Sequence, residues 1–158
     1  MLKKTVIGLL LLGCVSGGVT AGMALDNSAA DALSASQAGK TANVVKSDVL
    51  AQDYNTRGLY YANQQSYEQA RKEFASAVSV AQSQGVINLY SNNLAMTYKY
   101  LGEYSTALEI INKVLANDPN LLSALDTKGD ILISMKRYDE AESYLTQAIL
   151  LNPGIGTS

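Results

Sequence analysis

The sequence predicts an all-α fold, a tandem helix-turn-helix solenoid of three antiparallel helical pairs, and three observations carry the prediction. First, Tyr67-Glu-Gln-Ala70, Tyr104-Ser-Thr-Ala107 and Tyr138-Asp-Glu-Ala141 are copies of one pattern, spaced by 37 and 34 residues. Second, the neighbours recur at fixed offsets: Gly58, Ala95 and Gly129 twelve positions before each alanine, Phe74, Ile111 and Leu145 four positions after it, and Ala77, Val114 and Ala148 seven after. Third, turn residues punctuate the copies, in Asn63-Gln-Gln-Ser66, Leu101-Gly102-Glu103, Asp118-Pro119 and Asn152-Pro153. Self-similarity at this period is the mark of a stacked repeat protein, in which each unit hides its apolar face only against its neighbours.

The chain begins with Lys3 and Lys4 followed by Thr5-Val-Ile-Gly-Leu-Leu-Leu-Leu12, a positive start leading into a short apolar run. That is the pattern of an export signal, so residues 1–24 are expected to act as a signal peptide or anchor. Val19-Thr-Ala21 offers small residues for cleavage after Ala21. Leu11-Leu12-Gly13-Cys14 offers a second outcome, since it resembles the lipobox of bacterial lipoproteins and would make Cys14 the lipidated first residue. A third is an uncleaved anchor, because Thr5 to Ala24 carries no charge. The expected location is across the inner or cytoplasmic membrane, either periplasmic or held there as a membrane-anchored lipoprotein.

Residues 25–47 change to Ala, Ser, Asn and Gln with isolated charges and little to bury. They read as a flexible linker or weak helix that would hold the folded body off a membrane, spanning on the order of 25 Å if relaxed.

The repeat domain is expected over 48–155, with copies at about 51–84, 88–121 and 122–155 and a tail at 156–158. Its six helices are expected at about 48–63, 66–84, 88–100, 104–116, 122–134 and 138–151. Small residues at Gly58, Ala95 and Gly129 let the first helix of each pair approach the second within the usual ~8–10 Å. Ala70, Ala107 and Ala141 serve the same approach from the other side. Phe74, Ile111 and Leu145 then fill the space one turn later, with Tyr61, Tyr98 and Leu132 supplying bulk from the first helices. Ser66 is a good N-cap type, Gly102 ends a helix, and Asp-Pro and Asn-Pro stop the second helices. Three extra residues around Gln82-Ser-Gln-Gly85 predict that the second helix of the first copy runs almost one turn longer.

These residues resemble the tetratricopeptide repeat over about two-thirds of the chain. Two departures stand out: Tyr54 has Ser91 as its counterpart, and the first copy lacks the closing proline. The resemblance implies that the concave surface, lined by the first helices, holds a protein or peptide partner. It puts Gln52, Asn55, Thr56, Leu59, Asn63, Leu89, Asn92, Asn93, Met96, Lys99, Tyr100, Ser123, Asp126, Thr127, Asp130 and Ile133 in that groove. The partner-binding candidates among them are Asn55, Asn92, Asn93, Met96, Lys99, Tyr100, Asp126 and Asp130. Amides both donate and accept and so suit an extended backbone, while Met96 and Tyr100 supply adaptable apolar contact. In chaperone-binding members of the family, lysine, arginine and asparagine clamp a C-terminal carboxylate. Asn93 matches one such asparagine, but Asn55, Leu59, Ser123 and Thr127 hold the other clamp positions, so a free carboxylate finds too few cations. Asp126 and Asp130 make the third repeat acidic and better suited to a basic or polar segment.

Composition narrows the chemistry further. There is no histidine, and the only cysteine is Cys14, which removes a His base, a Cys/His metal site and an intramolecular disulfide. The formal charge of −2 offers no electrostatic footprint for nucleic acid. No catalytic residue, metal or cofactor is assigned; Asp126 and Asp130 at i, i+4 could form an acid pair, but catalysis would need a closed pocket that shifts one of them. The leading expectation is an exported interaction scaffold in envelope assembly, secretion or a pilus-type system, touching a membrane only through its N-terminus. The alternative is a structural homo-oligomer formed through the last helix, which would expose part of Tyr144, Leu145, Ala148, Ile149 and Leu151.

Overall fold

The computed structural model describes residues 28–152, and within them the chain forms six helices and no strand. They are α1 (Ser28–Asn63), α2 (Tyr67–Val80), α3 (Gln84–Tyr100), α4 (Tyr104–Asn117), α5 (Leu122–Ser134) and α6 (Tyr138–Leu151). Successive helices pair as α1 with α2, α3 with α4 and α5 with α6, and α3 also packs against both α1 and α5. The first helices of the pairs thus lie side by side, while α2 and α4 do not meet. Closer spacing on one side bends the stack and makes that side concave.

The core follows the repeated positions. Ala70, Ala107 and Ala141 are buried, as are Phe74 and Ile111 one turn later and Ala77, Val114 and Ala148 beyond them. A Cβ added to Gly58 would lie 2.6 Å from the Phe74 ring, and one added to Gly129 would lie 2.6 Å from Leu145 Cδ2. No carbon tolerates that distance, so glycine is what lets the paired helices close. The Ala95 methyl group is fully buried against the cluster of Ala107, Ile111 and Val114.

The turn inside each pair has one construction. Gln65, Gly102 and Lys136 occupy equivalent places and all have positive φ, at 55°, 80° and 61°. The next residue donates its N–H back to the helix, from Ser66 to Tyr61 O, Glu103 to Tyr98 O and Arg137 to Leu132 O, each at 2.9 Å. With the companion bonds from Gln65 to Ala62 O, Gly102 to Lys99 O and Lys136 to Ile133 O, this is the Schellman closure that satisfies the last carbonyls of a helix. Ser66 therefore works through its backbone; its hydroxyl makes no capping bond. Asp118 is extended and ends α4, as the Asp-Pro pair predicts.

Two expectations change. The residues between copies one and two lengthen α3, and α2 ends at Val80, four residues short of the predicted end. The cause is distant in sequence. Asp48 on α1 accepts the backbone N–H of Gln82 at 2.8 Å and of Ser83 at 3.2 Å, and the Ser83 hydroxyl as well. This latch takes donors a longer helix would have kept, and α3 restarts at Gln84 so that Val86, Ile87 and Tyr90 pack on Ala51, Ala77 and Ala81. These bonds hold the Asp48 carboxyl below its usual range, the Ser83 hydroxyl contributing most.

The second change concerns residues 28–47. They form a helix continuous with α1, which is the weak-helix alternative of the expectation and not its flexible-linker one. Side chains from Leu33 to Thr41 are all exposed, so packing does not hold the segment. Alanine-rich sequence extends an already nucleated helix at little cost, and the docked turns from Ala51 onward supply the nucleus. None of the described helices is long and apolar enough to cross a membrane. The export segment, Cys14 and the tail at 156–158 lie outside the described residues.

Candidate functional site

All eight candidate residues fall on the three helices that line the concave surface. Asn55 comes from α1, Asn92, Asn93, Met96, Lys99 and Tyr100 from α3, and Asp126 and Asp130 from α5. Within α3, Asn92, Met96 and Lys99 follow the i, i+4, i+7 spacing that brings side chains to one face, and Ser123, Asp126 and Asp130 in α5 follow the equivalent i, i+3, i+7 spacing.

Met96 stands between two depressions. The first, about 120 Å³, is lined by Leu59, Ala62, Phe74, Asn93, Met96, Thr97 and Tyr100 and is almost wholly apolar. Leu59 and Tyr100 are about half exposed, at 45% and 51%. Tyr100 is braced by a parallel stack on Tyr67, with ring centroids 4.9 Å apart, and Lys99 Nζ lies 4.8 Å from its centroid. A ring held by two neighbours loses little further freedom when a ligand packs on it. The bracing by Tyr67 pairs the start of α2 with the end of α3, a contact no sequence period announces.

The second depression, about 310 Å³, is lined by Asn92, Met96, Ser123, Asp126, Thr127 and Asp130. Lys99 forms an ion pair with Asp130 across it. Asp126 is exposed and makes no ion pair among the described residues. Asn92 is only 5% exposed, and its Oδ1 is closed off from solvent without a hydrogen-bond donor. A buried acceptor left unpaired costs about 1–3 kcal/mol, so its retention asks for a reason.

The asparagines divide their work. Asn93 Nδ2 donates to Asn55 Oδ1 at 2.9 Å, which ties α3 to α1 across the groove floor. Of the three, Asn92 alone has an amide oxygen that is both buried and without a partner. On the opposite side of the stack, a further cleft of about 350 Å³ opens between α2 and α4 and is lined by Val78, Ile87, Asn88, Leu94 and Ile110 among others. Sequence reasoning missed it because it is assembled from α2, α3 and α4 together, and no single helix's period shows it.

The family profile described as tetratricopeptide repeat matches residues 90–121 and 122–155, so the second and third helical pairs are tetratricopeptide repeats, and the first pair repeats their geometry. Solved structures similar in fold include the first tetratricopeptide domain of human RPAP3, with a TM-score of 0.61 at 19% identity over 68% of this chain and 82% of that one. The first such domain of Spaghetti (RPAP3), bound to the HSP90 peptide SRMEEVD, gives 0.59 at 19% identity over 66% and 80%. The second domain of human RPAP3, in complex with the HSP70 peptide SGPTIEEVD, gives 0.58 at 21% over 70% and 88%. Among curated proteins, the chain is 28% identical to the photosystem I assembly protein Ycf3 of Synechococcus sp. (strain CC9605), over 64% of this chain. It spans 66% of that relative's length.

Proposed function

We propose that this chain is an exported interaction scaffold that holds an extended segment of a partner protein in its concave groove during assembly of an envelope complex. The observation that carries the reading is the continuous groove itself, where an apolar depression with a braced tyrosine adjoins a polar one with an unused buried amide. Neighbours of the same fold hold peptides, and the curated relative is named for assembling a complex. Those neighbours' peptides end in acidic residues; here the third-repeat groove carries Asp126 and Asp130, and Lys99 is already engaged by Asp130. A segment of different charge is therefore the expected partner. The reading assigns no catalytic step, since an open acid pair with one member neutralised by lysine lacks the enclosure that general acid-base work needs. Export rests on Lys3, Lys4 and the leucine run, with release after Ala21, tethering through Cys14 or an uncleaved anchor as its outcomes.

Photo-cross-linking amino acids placed at Leu59 and Tyr100 in the groove, and at Glu109 on α4 as the control, test the reading in the protein's own cells. Cross-links to one partner from the groove positions but not from Glu109 are the expected result. Equal capture from all three would refute groove binding, and the mass of the mature N-terminus reports its processing.

One observation favours a second reading, self-association through α6. Ile149 is 47% exposed and Leu150 75%, a larger apolar exposure than at any other adjacent pair of this helix, whereas Ala148, expected at the surface, is buried. A sedimentation coefficient that rises with concentration, and stops rising in Ile149→Lys, is its signature.

A further inference from the structure

We infer that the depression between α3 and α5 is a subsite for a guanidinium group, and that it takes an arginine side chain from the segment held in the groove. The inference rests on the groove being the binding face and adds the chemistry it reads. The recess is lined by the Asp126 carboxylate, which has no counter-ion among the described residues, and by the Ser123 and Thr127 side chains; just beneath its surface lies the Asn92 Oδ1, which has no donor and opens to the recess when the Asn92 side chain turns. The cation nearest to supplying charge, Lys99, is held by Asp130. An acceptor-rich, negatively charged recess selects a donor-rich cation. A planar guanidinium carries five donors in a rigid fork and can meet the Asp126 carboxylate and, once the Asn92 side chain turns, its amide oxygen together, which a single ammonium does less well. Met96 supplies an apolar flank for the methylene stem.

The same geometry sets a spacing. The apolar depression lies between α1 and α3, and the polar one between α3 and α5, so their centres are separated by about one interhelix distance, roughly 10 Å. An extended segment rises about 3.3 Å per residue. An apolar residue seated beside Leu59 and Tyr100 therefore stands about three positions from the arginine.

The test uses the full 158-residue chain, labelled for NMR, and capped tetrapeptides Leu-Gly-Ser-Arg and Arg-Ser-Gly-Leu, each beside a partner peptide with citrulline replacing arginine. Citrulline keeps the shape and removes the charge. The arginine peptide of the correct direction is expected to shift the Asn92 side-chain amide and to bind about 3–10-fold more tightly than its citrulline partner. Asp126→Asn, a change at an exposed position, is expected to erase that difference. Equal affinity for arginine and citrulline peptides, or a preference that survives Asp126→Asn, overturns the subsite while apolar shifts at Leu59 and Tyr100 uphold the groove. No shift on α1, α3 or α5 from any of the peptides overturns the groove reading and the subsite together.

Discussion

At Gly58 and Gly129 the absence of one methyl group decides how closely two helices pack. Gly129→Ala pushes a carbon against the Leu145 side chain, and Gly58→Ala pushes one against the less yielding Phe74 ring. Over-packing of this kind costs about 1–3 kcal/mol, and thermal unfolding should show the larger loss at Gly58. Two buried amides make a sharper contrast. Asn88 Oδ1 accepts from Gln84 Nε2 at 2.9 Å, whereas Asn92 Oδ1 accepts nothing. Asn88→Ala is expected to cost about 1–2 kcal/mol, and Asn92→Ala to be neutral or stabilising by up to about 1 kcal/mol, as measured by denaturant unfolding. The small residues were legible because they recur at fixed offsets from Tyr-x-x-Ala. The difference between Asn92 and its neighbour Asn93 was not, since it depends on which amide finds a partner on another helix.

Helix by helix, legibility follows how local the stop signal is. The ends of α1, α3 and α5 are set by backbone bonds reaching five residues back, and the helices from α4 onward lie within a residue of their expected limits. The α2–α3 junction was misplaced because Asp48, 34 residues from Gln82, sets it. That latch has a pH signature. The folded carboxyl is held below its ordinary value by the Ser83 hydroxyl and the Gln82 N–H, so its contribution is complete above the unfolded value of about 3.9 and fades as pH falls through the lower folded one. Backbone amide exchange at Gln82 and Ser83, after correction for intrinsic rates, is expected to lose protection below about pH 4. In Asp48→Ala the protection should be absent already at neutral pH.

For the molecule as a whole, a repeat period leads to a solenoid, and a solenoid has an inner surface. The positions of that surface were legible through the family resemblance, but its division into an apolar and a charged recess on either side of Met96 was not, because each recess is bounded by residues from two or three helices. The start of α1 was legible only as one of two alternatives, for the opposite reason. Its first twenty residues carry no apolar stripe to read, and their order comes from the helix they extend. A helix rises about 1.5 Å per residue and turns about 100° at each one. A spin label at Ser36 is therefore expected to show a narrow distance distribution to one at Ile133, and a broad one would mean that the overhang behaves as a tether.

A helical overhang transmits angle as well as length. The start of α1 at Ser28 is held at a fixed rotational phase to the groove, so inserting one alanine after Gly39 turns the groove by about 100° relative to Ser28, while four bring it back to within about 40° at a distance about 6 Å greater. Slack chain would make both insertions equivalent. Through α1 the groove has a heading relative to Ser28, and in the tethered form proposed above partner capture should depend on the phase of an insertion more than on its length.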